Sequence, residues 1–429
     1  MPTLMEIARS GNITDEMIRV AKIEHCSPEK IRERIARGVV IVPRNEIREN
    51  IRIMGIGEGL STKVNVNVGT STMVVNVEME EEKVKTALKY GTDTIMDLSI
   101  GGDLDGIRRR LLSIANVPFG TVPIYQAFID VAKKSGAGIY MTEDDIFNIV
   151  EKHLKDGVDF MTIHAGITKE LVAKMRKTKR LAGIPSRGGT ILAAWMLYND
   201  QENPFFKNYD YLLEMLAEYD AVISIGDALR PGAIADSHDY FQLSELLNVA
   251  ELVRRAWDKG VQVMVEGPGH VPLNEIAADV RIEKAICRGA PYYVLGPLPT
   301  DVAMGYDHIA AAIGAAIAAA EGADLICYLT PAEHLALPTP EQVKDGLIAA
   351  KIAAHAGDIV KLGAKAKEWD LRISKARAGL DWSTMYELSM DKERAKKIHE
   401  QFGASSKGPC TMCGDLCVYV LLSKFLKED

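Results

Sequence analysis

Cysteine is scarce in this chain: six among 429 residues, three of them within the last twenty. So few thiols exclude a disulfide framework and fit a reducing compartment. A basic tract is also missing. Lys and Arg number 51 against 59 Asp and Glu, a net charge of −8, which argues against nucleic acid or an anionic membrane surface as the main partner. Long apolar runs are absent too. The longest candidate, Ile309 to Ala320, is alanine-rich and shorter than the roughly 20 residues a bilayer span needs. The opening Met-Pro-Thr-Leu-Met-Glu has neither the basic end nor the apolar core of a signal peptide. The expectation is a soluble cytoplasmic protein.

What is present is a large apolar fraction, 47%, spread over a length that suits a barrel of about 250 residues with additions at each end. Residues 1–55 read as a small helical cap, in which Ser27-Pro28-Glu29 offers an N-cap followed by proline at the first helical position. Val39 to Val42 suits a short strand. From residue 64, short apolar or β-branched runs recur: Val64–Val68, Thr94–Leu98, Val122–Tyr125, Phe160–His164, Leu181–Pro185, Ala221–Ile225, Val261–Glu266, Tyr292–Leu295 and Leu325–Leu329. Helix-like stretches such as Glu81–Tyr90, Glu143–Asp156, Lys169–Thr178 and Gln242–Lys259 separate them. Strands alternating with helices imply βα units and a parallel sheet. The count predicts an α/β fold, a TIM-like (β/α)8 barrel over residues 56–340 with one run left outside it; an open doubly wound sheet is the alternative. Residues 341–402 read as helices (Glu341–Gly357, Asp358–Lys367, and Ser374 to Phe402 with a break near Gly379), and 403–429 as a tethered segment that opens on a turn-forming linker and ends on the apolar stretch Val418–Phe425.

In such barrels the site forms at the C-terminal strand ends. Here those ends carry Asn67, Asp97, Tyr125, His164, Ser186-Arg187-Gly188-Gly189, Asp227 and Arg230, Glu266 and His270, and Glu333-His334. A structural barrel has no need of ionisable groups on so many strands, so the pattern marks an enzyme. Arginine at two neighbouring strand ends, beside glycines that let backbone N–H groups approach, suits a phosphorylated substrate. His270 and His334, from adjacent strands and each beside a carboxylate (Glu266, Glu333), suit either a shared divalent metal with open positions or hydrogen-bonded histidines without metal. The tail reads Cys410-Thr-Met-Cys413-Gly-Asp-Leu-Cys417. Three thiolates where four close a site suit an iron–sulfur cluster with one open iron. A structural zinc with His399 as fourth ligand, or a reactive thiol pair, satisfies the same spacing.

The blocks Met96-Asp-Leu-Ser99, Gly120-Thr-Val-Pro-Ile-Tyr125, Ile163-His164-Ala-Gly166, Ser186-Arg-Gly-Gly189, Glu266-Gly-Pro-Gly-His270, Gly305-Tyr-Asp-His308 and Glu333-His334-Leu, together with the cysteine tail, resemble the phosphomethylpyrimidine synthase (ThiC) family, which includes 5-hydroxybenzimidazole synthases. The resemblance runs over about residues 40–417. It implies a radical S-adenosylmethionine lyase with a barrel, a tethered cluster and a domain-swapped homodimer, acting on 5-aminoimidazole ribotide and drawing electrons from a reductant such as flavodoxin or ferredoxin. It implies substrate contacts from Asn67, Met96, Tyr125, His164, Ser186, Arg187, Gly188, Asp227, Arg230, Glu266 and Tyr293, with His164, Asp227 and Glu266 catalytic. It implies zinc or iron on His270 and His334, and a [4Fe–4S] cluster on Cys410, Cys413 and Cys417 that binds S-adenosylmethionine at its open iron.

Three departures from the family pattern stand at the barrel mouth and the tail. Cys413 and Cys417 are one residue closer together than usual, Ala228 replaces a glycine, and Met304 replaces a proline. Changes of bulk and backbone freedom beside a substrate favour the benzimidazole-forming branch, in which the ribotide is rerouted to the lower base of an anaerobically made cobalamin. The pyrimidine phosphate synthase of thiamin formation is the alternative. More remote readings are a metal-dependent barrel hydrolase, which would leave the cysteines idle, and a zinc-knuckle binding protein, which the net charge opposes.

Overall fold

A computed structural model describes residues 2–422 apart from Asn50 and Ser406. Residues 423–425, part of the expected apolar stretch, lie outside the described residues. The chain divides into two compact units, Met1–Gly357 and Asp358–Asp429.

In the first unit three helices, Leu4–Arg9, Asp15–Ile23 and Pro28–Arg37, are started by Thr3, Thr14 and Ser27, whose hydroxyls each accept a backbone N–H of the first turn. They bury Leu4, Met5, Met17, Val20, Ile31 and Ile35 in a small core of their own. Behind them Val40–Ile41 pairs antiparallel with Ile56–Gly57. Glu24 closes the junction. Its carboxylate bonds the buried Lys63 ammonium at 2.7 Å, and that cation, with hydrogen bonds from Ser61, outweighs burial and holds its pKa down at about 2.

Eight parallel strands then close a barrel: β1 Lys63–Val68, β2 Thr94–Asp97, β3 Phe119–Thr121, β4 Phe160–Ile163, β5 Val222–Ile225, β6 Val263–Gly267, β7 Tyr292–Leu295 and β8 Leu325–Cys327, with β8 pairing β1. In β1 the valines at 64, 66 and 68 alternate with Lys63, Asn65 and Asn67, the period-2 pattern that sends one set to the helix layer and the other inward. The inward set is polar and hydrogen-bonded: Asn65 Nδ2 donates to Asn67 Oδ1 at 2.7 Å, and Thr94 Oγ1 of the next strand to Asn65 Oδ1 at 2.7 Å. The apolar core lies between the strands and the surrounding helices, with Phe119, Phe160, Ile223, Val263 and Ala318 fully buried.

Two expected strands differ. The third ends at Thr121 because Pro123 starts the helix Pro123–Ser135, so Val122–Tyr125 is the strand-to-helix turn. Leu181–Pro185 is the run outside the barrel. Gly183 takes a φ of +60° there, and the Arg180 guanidinium holds the carbonyls of Gly183 and Leu229. Among the described residues no helix is long and apolar enough to cross a membrane.

The division between the units falls within the helix Pro340–Lys361, which continues past the Gly357 end expected from sequence. In the second unit the helices Ala364–Ala378, Trp382–Leu388 and Lys392–Glu400 follow. Trp382 stacks on His399 with centroids 3.6 Å apart, and its indole N–H donates to the Gly408 carbonyl at 2.8 Å, just ahead of the cysteines.

Candidate active site

A cavity of about 470 Å³ opens at the C-terminal end of the barrel strands. Of the expected substrate contacts, Asn67, Met96, Tyr125, His164, Asp227, Arg230, Glu266 and Tyr293 line it. Ser186, Arg187 and Gly188 do not, yet Arg187 and Gly188 border residues that do. Ser186 caps the helix Arg187–Asn199, taking the Gly189 N–H at 3.2 Å. The Arg187 guanidinium lies 5.0 Å from the centre of the Tyr125 ring. Gly188 is a glycine for a physical reason: a Cβ there would stand 2.3 Å from the His164 ring.

His164 is buried to 2% exposure. Burial, with the nearby Arg230 cation adding to it, lowers its pKa to about 3, so it meets a ligand as neutral imidazole. Asp227 bonds Arg230, Oδ1 to Nη1, at 3.0 Å. Glu266 accepts hydrogen bonds from the Thr162 hydroxyl at 2.6 Å and the Ser224 hydroxyl at 3.4 Å. Burial pushes both carboxyls up; Arg230 pulls both back, the Glu266 charge pushes Asp227 further up, and the Thr162 and Ser224 hydroxyls hold Glu266 down. One guanidinium facing two carboxyl groups leaves the wall able to hold a proton that a reaction needs. The other Asp227 oxygen, Oδ2, is buried without a partner among the described residues, as for a group awaiting a ligand.

Residues the sequence reading passed over complete the wall. Cys327, at the end of β8, accepts from Asn67 Nδ2 at 3.0 Å, and burial raises its thiol pKa to about 12. Glu245, on the helix Tyr240–Asp258, caps the Asp227–Arg230 turn by accepting the Ala228 N–H at 3.0 Å and the Leu229 N–H at 2.5 Å. No motif marks these positions. Thr162 and Cys327 sit inside apolar strand patterns, and Glu245 is a lone acid on an amphipathic helix.

His270 and His334 come together with ring centroids 5.4 Å apart, but from β6 and β8, with β7 between rather than from adjacent strands. Their hydrogen-bonded carboxylates also differ from those expected. His270 Nδ1 bonds Asp301 Oδ1 at 2.8 Å and His334 Nδ1 bonds Asp307 Oδ2 at 3.2 Å, while Glu266 turns to the hydroxyls above. Among the described residues no three His, Cys, Asp or Glu side chains are gathered for a metal ion; the donors stand in pairs. His399 bonds the Tyr386 hydroxyl through Nδ1 at 2.5 Å and stacks on Trp382.

In the second unit all three tail cysteines are free thiols. Backbone N–H groups of Cys413 and Met412 point at the Cys410 sulfur and lower its pKa, whereas burial and the neighbouring sulfurs raise that of Cys413. The loop one residue short closes as a tight turn over Gly414–Leu416, with Gly414 at φ +48° and the Cys417 N–H bonded to the Gly414 carbonyl. Backbone donors aimed at the Cys410 sulfur stabilise its thiolate, the form a cluster ligand takes.

Comparison with known proteins gives the family. The model of the radical SAM ThiC family matches residues 3–424. Phosphomethylpyrimidine synthase from Ignicoccus hospitalis is 56% identical over 428 residues, 99% of this chain and 98% of that one. The protein of that name from Sulfurisphaera tokodaii is 59% identical over 414 residues, 96% of each chain, and that from Pyrobaculum aerophilum 56% over 415 residues, 97% and 96%. These relatives overturn the benzimidazole reading, since proteins alike over nearly the whole chain carry the pyrimidine name. In the structure the three departures lie away from the cavity wall or leave local geometry unstrained. Ala228 is not among the left-handed residues, so its methyl costs no backbone strain; neither Ala228 nor Met304 lines the cavity; and the shorter cysteine loop still closes. The chain belongs to the radical SAM ThiC family and is an enzyme whose chemistry uses S-adenosylmethionine and an iron–sulfur cluster.

Proposed function

We propose that this enzyme is a phosphomethylpyrimidine synthase, converting 5-aminoimidazole ribotide to the hydroxymethylpyrimidine phosphate of thiamin formation. The observation that carries the reading is the near full-length identity to proteins of that name, set beside a polar cavity at the strand ends. The ribotide phosphate would bind at the N-terminus of the helix Arg187–Asn199, where the Arg187 guanidinium and the positive end of the helix favour an anion. Neutral His164 would accept or donate a hydrogen bond without adding charge. Asp227 and Glu266, with Arg230 between them, would hold and return protons as the ring rearranges. Tyr293, Met96 and Leu98 supply apolar walls that exclude water from a reactive substrate.

Cys410, Cys413 and Cys417 would hold the [4Fe–4S] cluster. Bound there, it supplies the single electron that cleaves S-adenosylmethionine. His270 and His334 would hold zinc or iron, each imidazole presenting Nε2 and leaving the other metal positions open. A flavodoxin- or ferredoxin-type donor and a domain-swapped homodimer belong to the same reading.

The test is dependence. Anaerobic enzyme with reductant should release 5′-deoxyadenosine from S-adenosylmethionine only when the ribotide is present. Release without the ribotide, or no release with it, would remove that substrate from the reading. Truncating Arg187 to Ala should weaken ribotide binding by about 1.5–3 kcal/mol, the range for a hydrogen bond to a charged group; an unchanged affinity by calorimetry would place the phosphate elsewhere.

A further inference from the structure

Two carboxylates that no strand-end pattern marks stand behind the paired imidazoles. Asp301 Oδ1 takes the His270 Nδ1 position at 2.8 Å, and Asp307 Oδ2 takes that of His334 at 3.2 Å. A carboxylate offers only acceptors, so in each pair the imidazole proton sits on Nδ1 and the lone pair is left on Nε2. Nε2 is thereby the atom presented to a metal. We infer that Asp301 and Asp307 are positioning residues of a divalent-metal site on His270 and His334, setting the tautomer and ring orientation of both ligands. The inference rests on the metal reading of that histidine pair.

Each carboxylate is itself held. The second oxygen of Asp301 accepts the Ile234 N–H at 3.0 Å, which ties it to the segment just downstream of Arg230. Asp307 is the first residue of the helix Asp307–Glu321 and is 3% exposed, a place where the helix dipole favours negative charge. His334 adopts a φ of +61°, a region that residues with side chains rarely enter; the loop therefore fixes the imidazole at a conformational cost, as functional positions often do. Both carboxylates come from the connection after β7: Asp301 from its loop, anchored in turn to Ile234 of the loop after β5, and Asp307 from the helix that follows. Imidazoles that bind metal ordinarily donate their other N–H to such a partner, and loss of the partner lowers affinity about 10–100-fold.

The experiment uses cluster-loaded enzyme, so that the cysteines are occupied, freed of its second metal by dialysis against a chelator. Zn²⁺ is then titrated in competition with a chromophoric chelator. Asp301→Asn and Asp307→Asn should each weaken Zn²⁺ binding about 10–100-fold, while the melting temperature of the zinc-free enzyme stays at the wild-type value for Asp301→Asn. Asn keeps an acceptor for the Ile234 N–H, and Asp301 is half-exposed, so this variant carries the test if the buried Asp307→Asn folds poorly. Wild-type Zn²⁺ affinity in Asp301→Asn, with binding lost in His270→Ala, would overturn the inference and leave the metal reading standing. Wild-type affinity in His270→Ala and His334→Ala would overturn both.

Discussion

Glu245 is buried to 3% exposure and its pKa is raised to about 8, because burial outweighs the two backbone N–H groups it accepts. Glu283 is likewise raised to about 8 and Asp220 to about 7, both by burial. In each case the folded chain retains a proton that the unfolded chain has already lost between about pH 4 and pH 8, so stability falls as pH rises through that window. His164 works the opposite way. With its pKa at about 3 against the ordinary 6.5, the unfolded chain binds the extra proton, and stability rises with pH over that range. Above pH 7 only the carboxyls remain, and thermal unfolding of the ligand-free enzyme should drop in midpoint from pH 6.5 to 9. Glu245→Gln should make that drop shallower. An equal slope in both proteins would show that Glu245 is ionised in the fold.

The turns after the strands translate these side chains into a site. Gly188 opens its helix against the His164 ring, and Gly189 faces Ala228 of the next turn. Replacing Gly188 by Ala would drive a methyl into the imidazole; overpacking of this kind costs about 1–3 kcal/mol, and here it would displace a cavity wall. Thermal unfolding and ribotide affinity should both decline. Wild-type values in both would mean that the helix start yields without moving His164. The strand pattern made most of this framework legible from sequence, since alternation in β1 and the ionisable strand ends place Asn67, His164, Asp227 and Glu266 where they are found. What it missed has a common cause. Asp301 and Asp307 lie 31 and 27 residues from the histidines they bond, and such pairing is set by barrel closure rather than local period. The run Leu181–Pro185 has the composition of a strand, but a left-handed glycine and a carbonyl-binding arginine turn it into a loop.

For the whole molecule, the cysteine segment and the barrel belong to separate compact units, so loss of the cluster should leave the barrel folded. Cys413→Ala should abolish the brown colour and the turnover of the anaerobic enzyme while the far-ultraviolet dichroism and ribotide binding persist. Turnover at the wild-type rate would remove the cluster from Cys413. The departures at Ala228 and Met304 carried more weight in the sequence than in the structure, where neither reaches the cavity. The measurement that bears most directly on the account is the identity of the product. Reconstituted enzyme, given 5-aminoimidazole ribotide, S-adenosylmethionine and a strong reductant without oxygen, should yield a phosphorylated hydroxymethylpyrimidine by mass spectrometry. A fluorescent benzimidazole without phosphate would contradict the account.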